Sequence, residues 1–239
     1  MKLSAPLYRL KRDARVLSRR EKIPLHQALD RISAEQGFSA WSLLSAKAAA
    51  ASPGARLFAR LKAGDFVLVG ARPGQGKTML GLEVLVEAMK HGARGLFFSL
   101  ECTHAEAAKR IEAVGFDPAA HGELFEFDGS EAISASYVID RLAGVAEPAV
   151  AVIDYLQLLD QRRDKPELAA QLRALSAFAG ARPATIIVLS QVDRSYDPSN
   201  KRFPDVSDLR LPNPVDVGLF TGTCFLQGGE VHVKMKAGR

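Results

Sequence analysis

The sequence has few of the residues that build metal centres, disulfide frameworks or membrane spans. Its 239 residues include only two cysteines, Cys102 and Cys224, which lie far apart and in neither metal-binding nor redox spacing. Five histidines are scattered along the chain, so we expect core or surface roles for them rather than metal ligation. No apolar stretch approaches transmembrane length, and none follows the basic N-terminus as a secretory signal requires. These absences predict a reduced, cytoplasmic setting with no membrane partner.

Positive charge is concentrated at the N-terminus. The formal net charge of the chain is +5, whereas residues 1–25 hold eight Lys or Arg against two acidic residues. Residues 4–22 carry apolar side chains at helical spacing, which predicts an amphipathic basic helix. Its charged face is either a contact for nucleic acid or another anionic surface, or simply a solvated helix face.

Residues 1–54 are predicted to form a small basic helical module and a linker. The first helix is followed by a second over residues 24–36 and by a third for which Ser39 is the expected N-cap. Residues 46–54 are rich in alanine and end in Pro-Gly, which is typical of a helix tail and linker. Residues 1–45 are also a candidate binding surface for a protein partner.

The central motif of the chain is a glycine-rich turn between an apolar strand and a helix. It comprises Ala71, Arg72, Pro73, Gly74, Gln75, Gly76, Lys77 and Thr78. Gly74 and Gly76 lack a Cβ atom, so the backbone can turn its N–H groups toward an anion. Lys77 adds a positive charge for phosphate, and Thr78 offers a hydroxyl group to Mg²⁺. The motif therefore predicts a nucleotide-phosphate site, although Ala71 occupies the position where a glycine is usual.

Strands and helices alternate through the rest of the chain. This pattern predicts an α/β fold with a mostly parallel twisted sheet flanked by helices over residues 55–239. Glu101, Asp154 and Gln191 each follow an apolar strand, so we expect them at the same sheet edge as the phosphate loop. Carboxylates there can hold Mg²⁺ and activate water, and an amide can sense the γ-phosphate. Each residue alone could equally be an ordinary strand-end or capping residue.

Five blocks of residues, in order, resemble the motifs of a known family. They are residues 71–78, Phe-Ser-Leu-Glu at 98–101, Ile-Asp-Tyr-Leu-Gln-Leu at 153–158, Leu-Ser-Gln at 189–191 and Ser-Asp-Leu-Arg at 207–210. Together they resemble the ATPase domain of DnaB-type replicative helicases, a RecA-like P-loop NTPase, over about residues 57–239. The small basic module stands where that family has a larger N-terminal collar domain.

The resemblance implies a set of cofactors and residue roles. ATP and Mg²⁺ are the implied cofactors, with Lys77 and Thr78 as phosphate and magnesium ligands and Asp154 as the second magnesium residue. Glu101 would be the catalytic base, and Gln191 the γ-phosphate sensor coupled to loops that bind single-stranded DNA. The implied DNA-binding residues in those loops are Arg162, Arg163, Arg194, Lys201 and Arg202.

The family also completes its site from a neighbouring subunit, which implies a homo-oligomeric ring such as a hexamer. The basic residues that would reach the neighbouring nucleotide are Lys234, Lys236 and Arg239, and either of the last two could be the finger. Lysine lacks the planar fork of arginine, so Lys236 is expected to act as a point charge.

Two functions follow from these expectations. The first is an ATP-dependent DNA helicase or single-stranded DNA translocase. The second is a regulatory or loading ATPase, whose nucleotide state controls assembly or partner binding without unwinding. The altered finger and the replacement of the family's acidic, glycine-containing stretch by residues 211–216 favour the second.

Overall fold

The computed structural model describes residues 4, 7–117, 123–145, 148–160, 166–210 and 215–236. The helices are α1 (Leu7–Glu21), α2 (Leu25–Glu35), α3 (Trp41–Ala51), α4 (Pro53–Phe58), α5 (Lys77–Lys90), α6 (His104–Ala113), α7 (Ala135–Ala143) and α8 (Leu168–Ala181). The strands are β1 (Phe66–Ala71), β2 (Arg94–Ser99), β3 (Phe125–Asp128), β4 (Ala149–Asp154), β5 (Ala184–Gln191), β6 (Gly222–Gln227) and β7 (Glu230–Met235). No helix within these ranges is both long and apolar enough to cross a bilayer.

The seven strands form one sheet in the order β3-β2-β4-β5-β1-β6-β7. All neighbouring pairs are parallel except β6 and β7, which form an antiparallel hairpin at one edge. The predicted α/β class with a mostly parallel sheet is therefore confirmed. In this order the carboxyl ends of β2, β4, β5 and β1 lie next to one another.

The inner strands are buried on both faces, which explains why they read as continuous apolar runs. Successive side chains alternate between two cores, as strand geometry requires. In β1, Phe66 and Leu68 pack with α7 and α8, whereas Val67 and Val69 pack with α5 and α6. The sheet is thereby fixed between two helical layers, and its carboxyl edge is held rigidly.

The helices α1, α2 and α3 pack around a separate small core. Leu10 and Ala14 of α1 contact Ala28 and Ile32 of α2 and Leu44 of α3. The third helix begins at Trp41, so the prediction that Ser39 caps it is wrong. The Asp30 carboxylate of α2 accepts the Trp41 backbone N–H at 2.8 Å, and a residue from another helix thus does the capping.

The strand predicted over residues 217–226 is wrong in its first part. A short 3₁₀ helix, Val217–Leu219, precedes β6, because the Asp216 carboxylate accepts the Gly218 backbone N–H at 2.7 Å. Phe220 then turns into the core and stacks on Phe66, with ring centroids 4.6 Å apart. The remaining predicted strands and helices in the described ranges are present within a few residues of their expected ends.

Candidate active site

The glycine-rich turn joins β1 to α5 at the carboxyl edge of the sheet. Gly74 and Gly76 have φ angles of +77° and +89°, in the left-handed region that favours glycine. A Cβ atom on either residue would meet nothing within 4 Å, so conformation and not crowding requires the glycines. The turn leads directly into the N-terminus of α5, where free backbone N–H groups favour an anion.

Asp154 links the first two residues of α5 to the end of β4. Its fully buried carboxylate accepts a hydrogen bond from Lys77 Nζ at 2.7 Å and from Thr78 Oγ1 at 2.6 Å. Lys77 also lies over the Tyr155 ring, with Nζ 5.2 Å from the centroid. The structure thus brings together three of the predicted phosphate and magnesium residues.

Glu101 lies at the rim of the same site, just after β2. Its backbone N–H donates to Ser99 Oγ at 3.0 Å, and the capping box between Thr103 and Glu106 starts α6 two residues later, as predicted. Although the side chain is exposed, surrounding protein removes part of its hydration, and this desolvation raises the pKa of the Glu101 carboxyl. The positive charge of Lys77 opposes that rise, and the negative charge of Asp154 adds to it.

Gln191 is the last residue of β5 and lies opposite Ala71 in the register with β1. Its backbone carbonyl accepts the Arg210 N–H at 2.8 Å, and the Asp193 N–H donates to the Asp208 carbonyl. The Gln157 side chain donates to the Arg210 carbonyl at 2.9 Å. The end of β5 is therefore tied to the segment that carries the Ser-Asp-Leu-Arg motif.

A cavity of about 450 Å³ connects these groups and contains one residue that sequence reasoning missed. Its lining includes the phosphate-loop residues Arg72, Pro73, Gly74, Gly76, Lys77 and Thr78, together with Met79, Glu101, Gln191 and Arg110. Arg110 belongs to α6, three residues after the buried Ala107, and so lies toward the packed side of that helix. A cation on the inward stripe of the helix that follows Glu101 was the signal in the sequence.

The donor groups fit Mg²⁺ and a nucleotide better than a metal held by protein alone. No cluster of three or more His, Cys, Asp or Glu side chains suited to a metal occurs in the described part of the chain. Mg²⁺ prefers a few protein oxygens together with phosphate oxygens and water, and Thr78 and Asp154 supply those oxygens. Gln75 points elsewhere, because its side chain accepts the Gly228 N–H of the β6–β7 turn at 3.0 Å.

The predicted DNA-binding residues after β5 differ in their surroundings. Arg194 is exposed, whereas Lys201 Nζ contacts the carboxylates of Asp205 at 2.6 Å and Asp208 at 2.7 Å. Arg202 pairs with Glu230 at 2.9 Å and lies over the Phe203 ring. The nearby Tyr196, a candidate for base stacking, is buried and donates its hydroxyl to the Lys201 carbonyl. Arg162 and Arg163 lie outside the described residues.

Lys234 and Lys236 are far from the phosphate loop of their own chain. Because β7 runs antiparallel to β6, they lie beside the start of β1, at the opposite end of the sheet. Lys236 Nζ donates to the Gly218 carbonyl at 2.6 Å, and both lysines line a separate cavity of about 600 Å³. This cavity is larger than the one at the phosphate loop but holds none of the loop residues. Arg239 lies outside the described residues.

Comparison with known proteins identifies one family. The profile described as "DnaB-like helicase C terminal domain" matches residues 55–116 and 129–215. The chain is similar to the replicative DNA helicase DnaB of Leifsonia xyli, with 29% identity over 187 residues, which cover 65% of this chain and 41% of the relative. A probable plasmid replicative DNA helicase of Chlamydia muridarum is 28% identical over 191 residues, 66% of this chain and 42% of the relative. The chain thus spans less than half the length of these curated relatives.

Solved structures show the same fold. A protein solved as an isolated ATPase domain superposes with a TM-score of 0.53 and 20% identity, over 69% of both chains. A DnaB-like replicative helicase studied with primase gives a TM-score of 0.53 and 22% identity, over 68% of this chain and 47% of that one. A KaiC-like protein from Pyrococcus horikoshii gives 0.51 at 16% identity, covering 68% of this chain and 70% of that one. At these identities the likeness concerns the fold alone.

Proposed function

Since the chain belongs to the family of DnaB-like helicase C-terminal domains, we propose that it is a Mg²⁺-dependent ATPase acting on single-stranded DNA, as a helicase or translocase. One observation carries this proposal. Lys77, Thr78 and Asp154 are hydrogen-bonded together at the phosphate loop, and Glu101 and Gln191 line the same cavity. This is the set of groups that phosphoryl transfer to water needs, because that reaction depends on positioning and charge neutralisation.

The phosphate loop would bind the nucleotide through its backbone and through Lys77. The turn at Gly74 and Gly76 and the N-terminus of α5 would hold the phosphates through N–H groups. Lys77 would exchange its hydrogen bond with Asp154 for one with the β- and γ-phosphates. Thr78 and Asp154 would hold Mg²⁺, which when bound would neutralise charge on the phosphate oxygens.

Glu101 would accept the proton of the attacking water. Its raised pKa keeps the carboxyl closer to the working pH than that of an ordinary glutamate, which favours general-base catalysis. Gln191 would report the state of the γ-phosphate by hydrogen bonding. Since the end of β5 is hydrogen-bonded to Arg210, that report would pass to the segment carrying Arg194. Arg110 would add positive charge on the other side of the cavity.

The proposal includes a homo-oligomeric ring in which a neighbour completes the site. Lys234 and Lys236 lie at the sheet end opposite their own phosphate loop, and this supports a role toward the nucleotide of another copy. Arg239 is proposed as an alternative finger from the same C-terminal run.

Strand displacement from a forked DNA duplex tests the helicase proposal. The full chain with ATP and Mg²⁺ is expected to release the displaced strand, and the Glu101→Gln variant is expected to bind the fork without releasing it. Displacement by the Glu101→Gln variant at the wild-type rate would contradict the assignment of Glu101. Absence of displacement with ATPase activity intact would leave translocation or regulation.

One observation favours a regulatory or loading ATPase as the second candidate. Lys201 and Arg202 are both engaged by carboxylates of their own chain, which leaves less free positive charge for DNA beside the site. This candidate predicts that ATP drives assembly of the chain while the hydrolysis rate stays indifferent to DNA. Analytical ultracentrifugation with and without ATP, in parallel with ATPase assays, separates the two functions.

A further inference from the structure

The outward side of α1 is a continuous cationic surface. Residues spaced three and four apart lie on one side of a helix, and Arg12, Arg15, Val16, Arg19 and Arg20 have this spacing. All five are exposed to solvent. We call this group the arginine face. The opposite side of α1 carries the buried Leu10 and Ala14, so the helix is already anchored by its apolar stripe.

Most of the charge on the arginine face is uncompensated. Arg12, Arg15 and Arg19 make no ion pair with any described residue of the chain. Arg20 pairs with Glu21, but Glu21 is shared with Arg31 of α2. Three neighbouring guanidinium groups therefore repel one another in the free protein, and an anionic partner would relieve this repulsion.

The spacing of these arginines suits a phosphate backbone. Arg12 and Arg19 are separated by about 10 Å along the helix axis. Over that length one DNA strand presents about three phosphates, at roughly 3.4 Å per nucleotide along a duplex. Guanidinium groups also match phosphate oxygens in a bidentate geometry that lysine cannot offer.

The alternative anionic surfaces fit less well. A helix that lies on a membrane needs an exposed apolar side, but the apolar stripe of α1 is buried against α2 and α3. On the arginine face only Val16 is apolar, with 57% of its surface exposed. The choice of a nucleic acid over an acidic protein rests on the function proposed above.

We propose that the arginine face binds the phosphates of single-stranded DNA and forms a second DNA contact outside the ATPase core. The face is attached to the core near the active site. Lys11, on the same helix, donates from Nζ to the Glu112 carbonyl at 3.1 Å, in the last turn of α6. The helix α6 starts just after Glu101 and carries Arg110, so DNA on this face would lie on an element that packs against the catalytic region.

Binding of a fluorescent oligothymidylate by the full chain, measured by anisotropy over a range of salt concentrations, tests the inference. The variant Arg12→Ala/Arg15→Ala/Arg19→Ala should bind on the order of 100-fold more weakly at 0.1 M salt, if each arginine makes one phosphate contact. The slope of log affinity against log salt should decrease by about 2 for the same reason. Replacing the three arginines by lysine should preserve most of the affinity.

A charge-matched control removes three exposed cations elsewhere, in the variant Arg60→Ala/Lys62→Ala/Arg173→Ala, and should bind nearly as the wild type does. The inference is overturned if the arginine variant and the control lose affinity equally, or if neither loses any. It is also overturned if the arginine face binds vesicles of anionic lipid, or an acidic protein, and not DNA. ATPase assays without DNA keep the two proposals apart, because the arginine variant should hydrolyse ATP at the wild-type basal rate. An inactive wild type would contradict the proposed function, and the anisotropy result would still decide this inference.

Discussion

Asp154 is the residue on which the candidate site depends. A carboxylate buried in a protein interior is stable only if it is paired and hydrogen-bonded, and Lys77 and Thr78 provide both. The same two residues are the proposed ligands of phosphate and Mg²⁺. The free protein therefore keeps its catalytic groups in place by using them as partners for one another.

Replacing Lys77 by alanine is expected to abolish nucleotide binding and also to destabilise the fold. Removing one partner from a buried ion pair costs about 3–5 kcal/mol, because the other charge is left in the interior. Binding of a fluorescent ATP analogue and urea unfolding measure the two effects. The double variant Lys77→Ala/Asp154→Asn should recover much of the stability without recovering binding. A double variant as unstable as the single one would contradict this explanation.

Replacing Glu101 by glutamine is expected to leave nucleotide binding intact and to reduce kcat by at least about 100-fold, as loss of a general base does. The exposed Glu131→Gln variant has the same change of charge away from the site and should be fully active.

The pH dependence of kcat/KM gives an independent check on Glu101. Desolvation raises its pKa, so the reactive carboxylate should be lost, as pH falls, at a higher pH than an ordinary glutamate would give. The acid limb of the wild-type profile should therefore lie above the usual glutamate range and should be absent from the residual activity of Glu101→Gln. An identical acid limb in both proteins would assign it to another group.

At the level of elements, the segment after β5 is held by its own side chains rather than left open. Lys201 contacts Asp205 and Asp208, and this ion pairing lowers the pKa of the Asp205 carboxyl to about 2. Tyr196 closes the turn through its hydroxyl. Arg194 is exposed outside this arrangement, so the two cations should behave differently when they are removed.

Arg194→Ala is expected to weaken binding of single-stranded DNA about 5-fold at 0.1 M salt, which is the effect of one phosphate contact. Lys201→Ala is expected to change DNA binding less and to increase backbone hydrogen exchange in residues 197–208. DNA anisotropy and hydrogen-exchange mass spectrometry on both variants measure these effects. If Lys201→Ala weakened DNA binding as much as Arg194→Ala and left exchange unchanged, Lys201 would be a DNA contact instead.

The features that could be predicted from the sequence are those that depend on neighbouring residues. Apolar runs located the buried strands, and the spacing of Thr103 and Glu106 located the start of α6. The strand order then brought Glu101, Asp154 and Gln191 to one edge, as expected for a parallel sheet. The phosphate loop is similarly local, because its glycine conformations are set within the turn.

The features that were missed depend on residues distant in the sequence or on orientation. The cap of α3 comes from Asp30 on another helix, which no local pattern around Ser39 could indicate. Whether a basic loop residue is free or paired depends on the path of the loop, as Lys201 illustrates. Arg110 faces the cavity because of how α6 packs, and its helical position alone offered only a weak signal.

At the level of the whole molecule, the positions of the proposed finger residues require a second copy. Lys236 lies at the sheet end opposite its own phosphate loop and is hydrogen-bonded there to Gly218. If it contributes to hydrolysis, it must do so toward another subunit, and activity should then depend on assembly.

Mixing two inactive variants tests this requirement. Lys77→Ala subunits lack the phosphate-binding lysine and Lys236→Ala subunits lack the proposed finger, so each alone should hydrolyse ATP poorly. In a random 1:1 mixture about one quarter of the interfaces would combine an intact site with an intact finger, and that fraction of activity should return. Unmixed variants at twice the concentration are the control. No recovery, with Lys236→Ala itself fully active, would assign the finger to another residue.

The central claim is that one site couples ATP hydrolysis to single-stranded DNA, and the steady-state ATPase rate of the full chain with and without DNA, at two salt concentrations, tests it most directly. We expect Mg²⁺-dependent hydrolysis that DNA stimulates strongly at low salt and much less at high salt, because phosphate contacts weaken as salt rises. A rate that is the same with and without DNA at both salt concentrations would contradict the coupling and favour the regulatory or loading ATPase.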